Sequence, residues 1–301
     1  MLGTNKIHHR RSCLYLNKKN MVNNIITGIL NIVDNHNRTI GTSRNIHNSL
    51  HAMGEPLEDY IKDVFSSACG LNEEQKAICY QNAFSYGGGK NNPPDAILKN
   101  GDAIEVKKVE SIGGIPLNSS YPKAKLYKDD SRISSYCRQI EDGSWDNKDM
   151  IYAIGCVQGR NLKSLALVYG SVYCADKEHY EKVFDTVKQS INSSGLVLEQ
   201  TNELAHINAV DPLGITYFRA RGMWGISHPF NVFKYIHEYD KTKDFELMAI
   251  IPTGKFNSFE NRNELIEKAT EIQNLVIEDK QVKNPNNTVE YIDVKLVTFV
   301  M

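Results

Sequence analysis

The sequence predicts one α/β domain, and three observations carry that expectation. Met150–Val157 and Leu162–Tyr169 are near-continuous apolar runs of strand length, which suit central strands covered on both faces. Amphipathic helical stretches precede them, over 22–35 and from Pro56 onward, and another follows over 176–193. The chain closes on a strand-helix-strand unit within 245–301, read as Phe245–Ile251, a helix at 259–280, and Thr288–Val300. A chain of 301 residues can bury a sizeable core. No repeat and no linker divides it, so 21–301 is expected to fold as a single domain, elaborated at about 112–138 and 205–240.

The elements follow in order. Residues 1–20 are polar, and amphipathic patterning begins only after Met21. They are expected to be a disordered arm, or to precede a true start at Met21. Ile25, Ile26, Ile29, Leu30, Ile32 and Val33 mark the first helix. In the second, Pro56 suits the first turn, and Leu57, Ile61, Val64, Phe65 and Ala68 form one apolar stripe. At about 100° per residue, Glu58 borders that stripe while Glu55 faces further away. Gly87-Gly88-Gly89 and Pro93-Pro94 then punctuate the approach to a hairpin. After the two apolar strands and the 176–193 helix, a loop with Asp211-Pro212 leads to a strand at Ile215–Arg219.

The hairpin carries the chemistry. Asp95–Leu98 and Asp102–Val109 read as strands around Lys99-Asn100-Gly101, and Asn-Gly is a strong hairpin signal. Alternation puts Glu105 and Lys107 on one face, and Ile104 and Val106 on the other, toward a core. Register decides whether Asp95 joins the first pair. A two-residue loop would oppose Asp95 to Val106; a three-residue loop opposes it to Glu105. The three-residue loop or an equivalent bulge is expected, with Gly101 of the three-residue loop in the left-handed position.

Asp95 and Glu105 are then hard oxygen ligands for Mg2+, which keeps waters and takes few carboxylates. The Val106 carbonyl is a further candidate ligand, and Glu58 could bind a second metal or hold a water. Such a site hydrolyses phosphodiesters, with Lys107 positioning or deprotonating water and offsetting phosphate charge. Burial would lower the Lys107 pKa and the carboxylates would raise it, a balance the sequence leaves open. The bland alternative is a solvated hairpin with charges on its wet face. Asp293-Val294-Lys295 illustrates that alternative, since only Pro285-Asn286 stands upstream of it.

Composition narrows the classes. Six cysteines without a CxxC pair argue against structural zinc and a disulfide framework, and nine histidines form no HExxH spacing. No apolar run spans a membrane and no signal peptide is visible. A net charge of −1 does not advertise a nucleic-acid binder. Lys99–Arg138 nevertheless holds eight Lys or Arg against five Asp or Glu, so binding is expected to rest on a shaped cleft. Asn92-Pro93-Pro94 lacks the aromatic residue of a methyltransferase NPP(Y/F) motif, and Gly87-Gly88-Gly89-Lys90 lacks the Ser or Thr of a phosphate loop.

The hairpin and the Pro56 helix resemble the PD-(D/E)xK nuclease superfamily. Five segments resemble NgoPII-type type II restriction endonucleases in order and separation: MGEPLEDYIKDVF (53–65), NNPPDAILKNGDAIEVKKVES (91–111), LNSSYPKAKL (117–126), DMIYAIG (149–155) and VDPLGITYFRARGMWGI (210–226). The resemblance implies a central mixed sheet flanked by helices. It also implies cytoplasmic, bacterial cleavage of double-stranded DNA at a short palindrome of the GGCC class, beside a separate DNA methyltransferase. Asp95, Glu105, Lys107 and Glu58 would be catalytic.

On that reading, Asn118, Ser119, Ser120, Tyr121, Lys123 and Lys125 are phosphate donors on a loop beside the site, with Lys123 the foremost. Guanine N7 and O6 accept a bidentate arginine, which makes Arg219 and Arg221 candidate base readers, with Arg132 and Arg138 behind them. Salt bridging within the protein is the alternative for all four. A palindrome favours a homodimer. Two other functions remain open: a structure-specific repair or recombination nuclease of the same fold, and a DNA-binding module with a dead site.

Overall fold

The computed structural model describes residues 22–41, 56–89 and 92–301. In chain order the strands are β1 (Phe84–Tyr86), β2 (Ala96–Leu98), β3 (Ala103–Val109), β4 (Gly114–Asn118), β5 (Lys125–Tyr127), β6 (Asn147–Gln158), β7 (Asn161–Tyr169), β8 (Ala205–Ile207), β9 (Phe218–Ala220), β10 (Trp224–Ser227), β11 (Glu246–Pro252), β12 (Leu275–Asn284) and β13 (Asn287–Val300). The longer helices are α1 (Ile25–Asp34), α2 (Pro56–Phe65), α3 (Glu73–Ala83), α4 (Lys177–Asn192) and α5 (Arg262–Glu271).

The apolar runs become the middle of a nine-stranded sheet, ordered β1-β2-β3-β6-β7-β11-β13-β12, with β5 also paired to β6. β3 and β6 run parallel, as do β7 and β11, and the remaining pairs are antiparallel. The molecule is therefore α/β with a central mixed sheet flanked by helices. β6, β7 and β11 are buried along almost their whole length, which is why they read as unbroken apolar runs rather than alternating ones.

Two helices cover one side of the sheet. Asn24 caps α1 by accepting from the Ile26 and Thr27 amides. Ile25, Ile26, Ile29 and Ile32 of α1 and Leu57, Ile61 and Phe65 of α2 are essentially inaccessible. A methyl group on Gly155 of β6 would lie 2.8 Å from Leu57. Glycine there lets α2 lie against the sheet, and this contact brings Glu58 over β3.

Two small ribbons stand outside the main sheet. β4 pairs with β10, and β8 pairs with β9. The β4–β10 ribbon joins the catalytic region to the segment carrying Arg219 and Arg221, with Trp224 opposite Asn118 and a register shift after Trp224.

Several boundaries differ from the sequence expectation. The 259–280 helix stops at Glu271, and Leu275–Asn284 is β12, a strand that turns through Pro285-Asn286 into β13. The charged alternation of Glu278-Asp279-Lys280 fits an edge strand with two wet faces as well as it fits a helix surface. The Ile215–Arg219 strand shrinks to Phe218–Ala220, because only three pairs form with β8. In the catalytic hairpin the left-handed residue is Asn100, at φ 52°, not Gly101. Asparagine tolerates that conformation, so the turn needed no glycine there. The expectations for residues 1–20, for Met21 and for Glu55 lie outside the described residues. Among the described residues no helix is long and apolar enough to cross a membrane.

Candidate active site

The hairpin register sets the site. Ala96 pairs with Ile104 and Ile97 with Ala103. The Leu98 amide donates to the Asp102 carbonyl at 3.0 Å, which closes a three-residue loop. The paired register ends at Ala96, and just beyond it the Asp95 amide donates to the Ile104 carbonyl at 3.0 Å, so Ile104 faces both residues and Asp95 enters the hairpin next to Glu105. Asp95 Oδ2 accepts from the Val106 amide at 2.7 Å, so the carboxylate is held from the strand that bears its partner. Gly88, at φ 91°, approaches so closely that a Cβ would sit 2.4 Å from the Asp95 carbonyl oxygen. The preceding glycines thus clamp the entry to the hairpin.

Lys107 Nζ donates to Glu105 Oε1 at 2.7 Å. Glu105 Oε2 is buried and has no hydrogen-bond partner. An orphaned carboxylate oxygen in a cluster of acids is a strong local demand for a cation. Burial, then the Glu105 and Glu58 carboxylates, push the Asp95 pKa up to about 8 against the pull of Lys107. Burial alone would lower Lys107, but Glu105 and Asp95 outweigh it and hold the ammonium above its ordinary value. Among these protein groups the carboxylates win over burial, and Lys107 is a cation.

Glu58 projects from α2 with its side chain 24% exposed, 3.9 Å from Lys62. Its charge is felt at both Asp95 and Lys107. Among the described residues, no three His, Cys, Asp or Glu side chains gather closely enough to hold a metal ion by themselves. The three acids therefore do not make a ready carboxylate cage, and Glu58 leans toward Lys62. Two carboxylates, a main-chain carbonyl and water remain a donor set that suits magnesium.

A small cleft opens at this point, and Pro93, Glu105, Ser120, Tyr121, Lys123 and Tyr152 are among its walls. Lys123 is not the exposed phosphate donor its loop suggested. It is 6% exposed, its amide donates to the buried Tyr152 hydroxyl at 2.6 Å, and its ammonium stands 3.2 Å from Asp130. Burial lowers its pKa, opposed by Asp130. Arg132 and Arg138 are structural too. Arg132 grips Asp130 at 2.9 and 3.2 Å and lies over the Tyr121 ring, and Arg138 donates to the Lys128 and Asp130 carbonyls. Asn118 and Ser119 remain exposed, Ser120 is half-buried, and Lys125 sits on β5 beside Asp149. Arg219 and Arg221 lie far along the chain on an exposed ribbon, and both engage Glu203.

Sequence reasoning missed three groups. Tyr121 stacks on Tyr180 of α4, and Trp224 meets both rings edge-on, an aromatic cluster that joins the cleft to β10. Lys255 bonds Asp102 at 2.6 Å and Asp149 at 2.8 Å, while the Tyr169 hydroxyl donates to Asp102 at 2.6 Å, which pins the start of β3. Glu203 is the third. None had a local signal; each depends on contacts between distant segments.

The sequence family described as NgoPII restriction endonuclease matches residues 23–283. A type II restriction enzyme, NgoPII of Neisseria gonorrhoeae, is 45% identical over 279 residues, covering 92% of this chain and 99% of the relative. No solved structure matches.

Proposed function

This chain belongs to the NgoPII restriction endonuclease family, and from that premise we propose that it cuts double-stranded DNA by magnesium-dependent phosphodiester hydrolysis at a short palindrome of the GGCC class. The observation that carries the chemistry is Asp95 held by the Val106 amide beside Glu105, the latter bonded to Lys107 and left with one buried, unpartnered oxygen. This arrangement supports a core of the PD-(D/E)xK kind on a sheet whose β3 and β6 run parallel.

Asp95 Oδ1, Glu105 Oε2 and the Val106 carbonyl would hold the magnesium, which supplies Lewis acidity for attack on the phosphorus. Asp95 is steered by the Val106 amide, and Glu105 by Lys107. Lys107, protonated, directs its positive charge into the cleft, where it offsets charge developing on the phosphate and orients the attacking water. Glu58, on α2, adds a negative charge that favours cation entry and holds a water at the rim. Ser120 and Lys123 wall the cleft, while Asn118 and Ser119 are exposed to meet flanking phosphates and Lys125 would turn from Asp149 to do so. Tyr121, Arg132 and Arg138 support that wall through Asp130 and the aromatic cluster. Arg219 and Arg221 are the proposed base readers.

The palindrome calls for a homodimer in which each subunit cuts one strand, and for a companion methyltransferase in the same bacterial cytoplasm. Digestion of plasmid DNA with magnesium, beside the Lys107→Ala variant, tests the reading. Discrete fragments with mapped GGCC-type ends are expected. A smear would instead point to a structure-directed nuclease, and intact plasmid to a binding module.

A further inference from the structure

One carboxylate engages both arginines of the β8–β9 ribbon. Arg219 Nε and Nη2 donate to the two Glu203 oxygens at 2.7 and 2.6 Å. Arg221 Nε lies 2.7 Å from Glu203 Oε1. The donors are open to solvent, at 43% and 54% side-chain exposure, while the acceptor is only 19% exposed. Glu203 is also fastened from behind. Its amide donates to Thr201 Oγ1 at 3.1 Å, the Thr201 carbonyl accepts from Lys188 of α4 at 2.8 Å, and the next amide, Leu204, donates to the Ala220 carbonyl at 3.0 Å. A glutamate anchored through its main chain thus meets two more exposed guanidinium groups.

The two oxygens of a carboxylate present an arginine with the side-by-side acceptors that a guanine N7/O6 edge presents. We propose that Glu203 is a specificity-determining residue, an internal stand-in for the DNA acceptors that Arg219 and Arg221 must leave before they bind DNA. This rests on the reading above that those arginines meet DNA. The exchange discriminates for a simple reason. A cognate guanine edge replaces both of the bonds Arg219 gives up. A backbone phosphate on a non-cognate duplex can also replace both, through its two non-bridging oxygens, but it sets the vacated carboxylate beside the polyanion, so the discrimination is one of charge. Glu203 also cancels one of the two positive charges, which weakens sequence-independent attraction. Exposed ion pairs are cheap to open, so the restraint does not prevent cognate binding.

The test measures Kd across a range of NaCl, on the non-cutting Lys107→Ala background, for a random-sequence duplex and a duplex of the mapped cleavage site. Glu203→Ala is expected to tighten the random duplex roughly three- to tenfold at low salt, and to steepen the slope of log K against log salt by about one. The site duplex gains less, so the ratio of the two affinities falls at least about threefold. Glu203→Gln, which keeps an oxygen acceptor without the charge, falls between. Both effects disappear when Arg219→Ala and Arg221→Ala are added. Unchanged random-duplex affinity and slope in Glu203→Ala overturns the inference, and so does equal weakening on both duplexes, which would make Glu203 a scaffold. In either case loss of site preference in Arg219→Ala leaves the reading of the arginines standing. Arginine variants that bind both duplexes like their parent would remove that reading, and the inference with it.

Discussion

The catalytic hairpin and the β8–β9 ribbon handle charge in opposite ways. At the hairpin, Asp95 and Glu105 share the Lys107 ammonium, Glu58 leans toward Lys62, and a buried Glu105 oxygen has no hydrogen-bond partner. On the ribbon, two arginines and Glu203 satisfy one another in the open. The first region crowds its own like charges, which is the ground for the proposed cation. The second is locally content and must give up bonds to act. On the proposed reading, hairpin residues should trade stability for chemistry, whereas ribbon residues should alter binding with little effect on folding.

The largest effect expected from this contrast is on turnover. Lys107→Ala should lower cleavage by about a thousandfold or more, read as single-turnover rates, while duplex affinity changes little. The contrast breaks if cleavage persists. Next comes the anchor beneath the hairpin. Lys255→Met removes the cation from the buried Asp102 and should cost about 3 kcal/mol in denaturant unfolding. A loss below about 1 kcal/mol would mean that Tyr169 suffices to hold Asp102. A smaller loss, roughly 1–3 kcal/mol, is expected for Gly155→Val, which forces Leu57 and α2 off the sheet. It should also slow cleavage by displacing Glu58, and unaltered cleavage would detach Glu58 from the chemistry.

The smallest effect carries the opposite sign. Without divalent cation, Asp95→Asn should stabilise the protein by about 1–2 kcal/mol at pH 8, because it removes a repelled buried charge and keeps an acceptor for the Val106 amide. Folded Asp95 holds its proton up to about pH 8, well above its ordinary value near 3.8. The folded state therefore binds the extra proton, and metal-free stability should fall as pH rises from about 4 to 8, then level off. Lys107, shifted upward, contributes a loss only above its ordinary value of 10.5, outside that window. Magnesium should raise the wild-type Tm most above pH 8 and leave Asp95→Asn nearly unmoved. A wild-type Tm that is flat with pH would sink the repulsion argument.

The hairpin was legible because a strand period of two and a tight turn act over a few residues, and these put Glu105 and Lys107 on one face, with Asp95 held beside them by the Val106 amide. The central strands were legible for the same local reason. Lys123 was not, since a lysine in a polar loop gives no sign that Tyr152 and Asp130, from two other segments, will enclose it. Asn100 and Gly101 were confused because both accept a left-handed backbone. The arginines were legible as donors but not as partners of Glu203, because that contact forms only when β8 finds β9. The family likeness speaks to the activity, and the geometry to how these residues could deliver it.

The β4–β10 ribbon has a consequence for protein engineering. Asn118, at the end of β4, lies opposite Trp224, three residues beyond Arg221, and Trp224 touches the same Tyr121 that walls the cleft. The reading arm is consequently not a detachable module. Grafting 205–221 from a relative with another target would drag the cleft wall along, so chimeras should need matched replacement of 114–121 to recover turnover as well as a new preference.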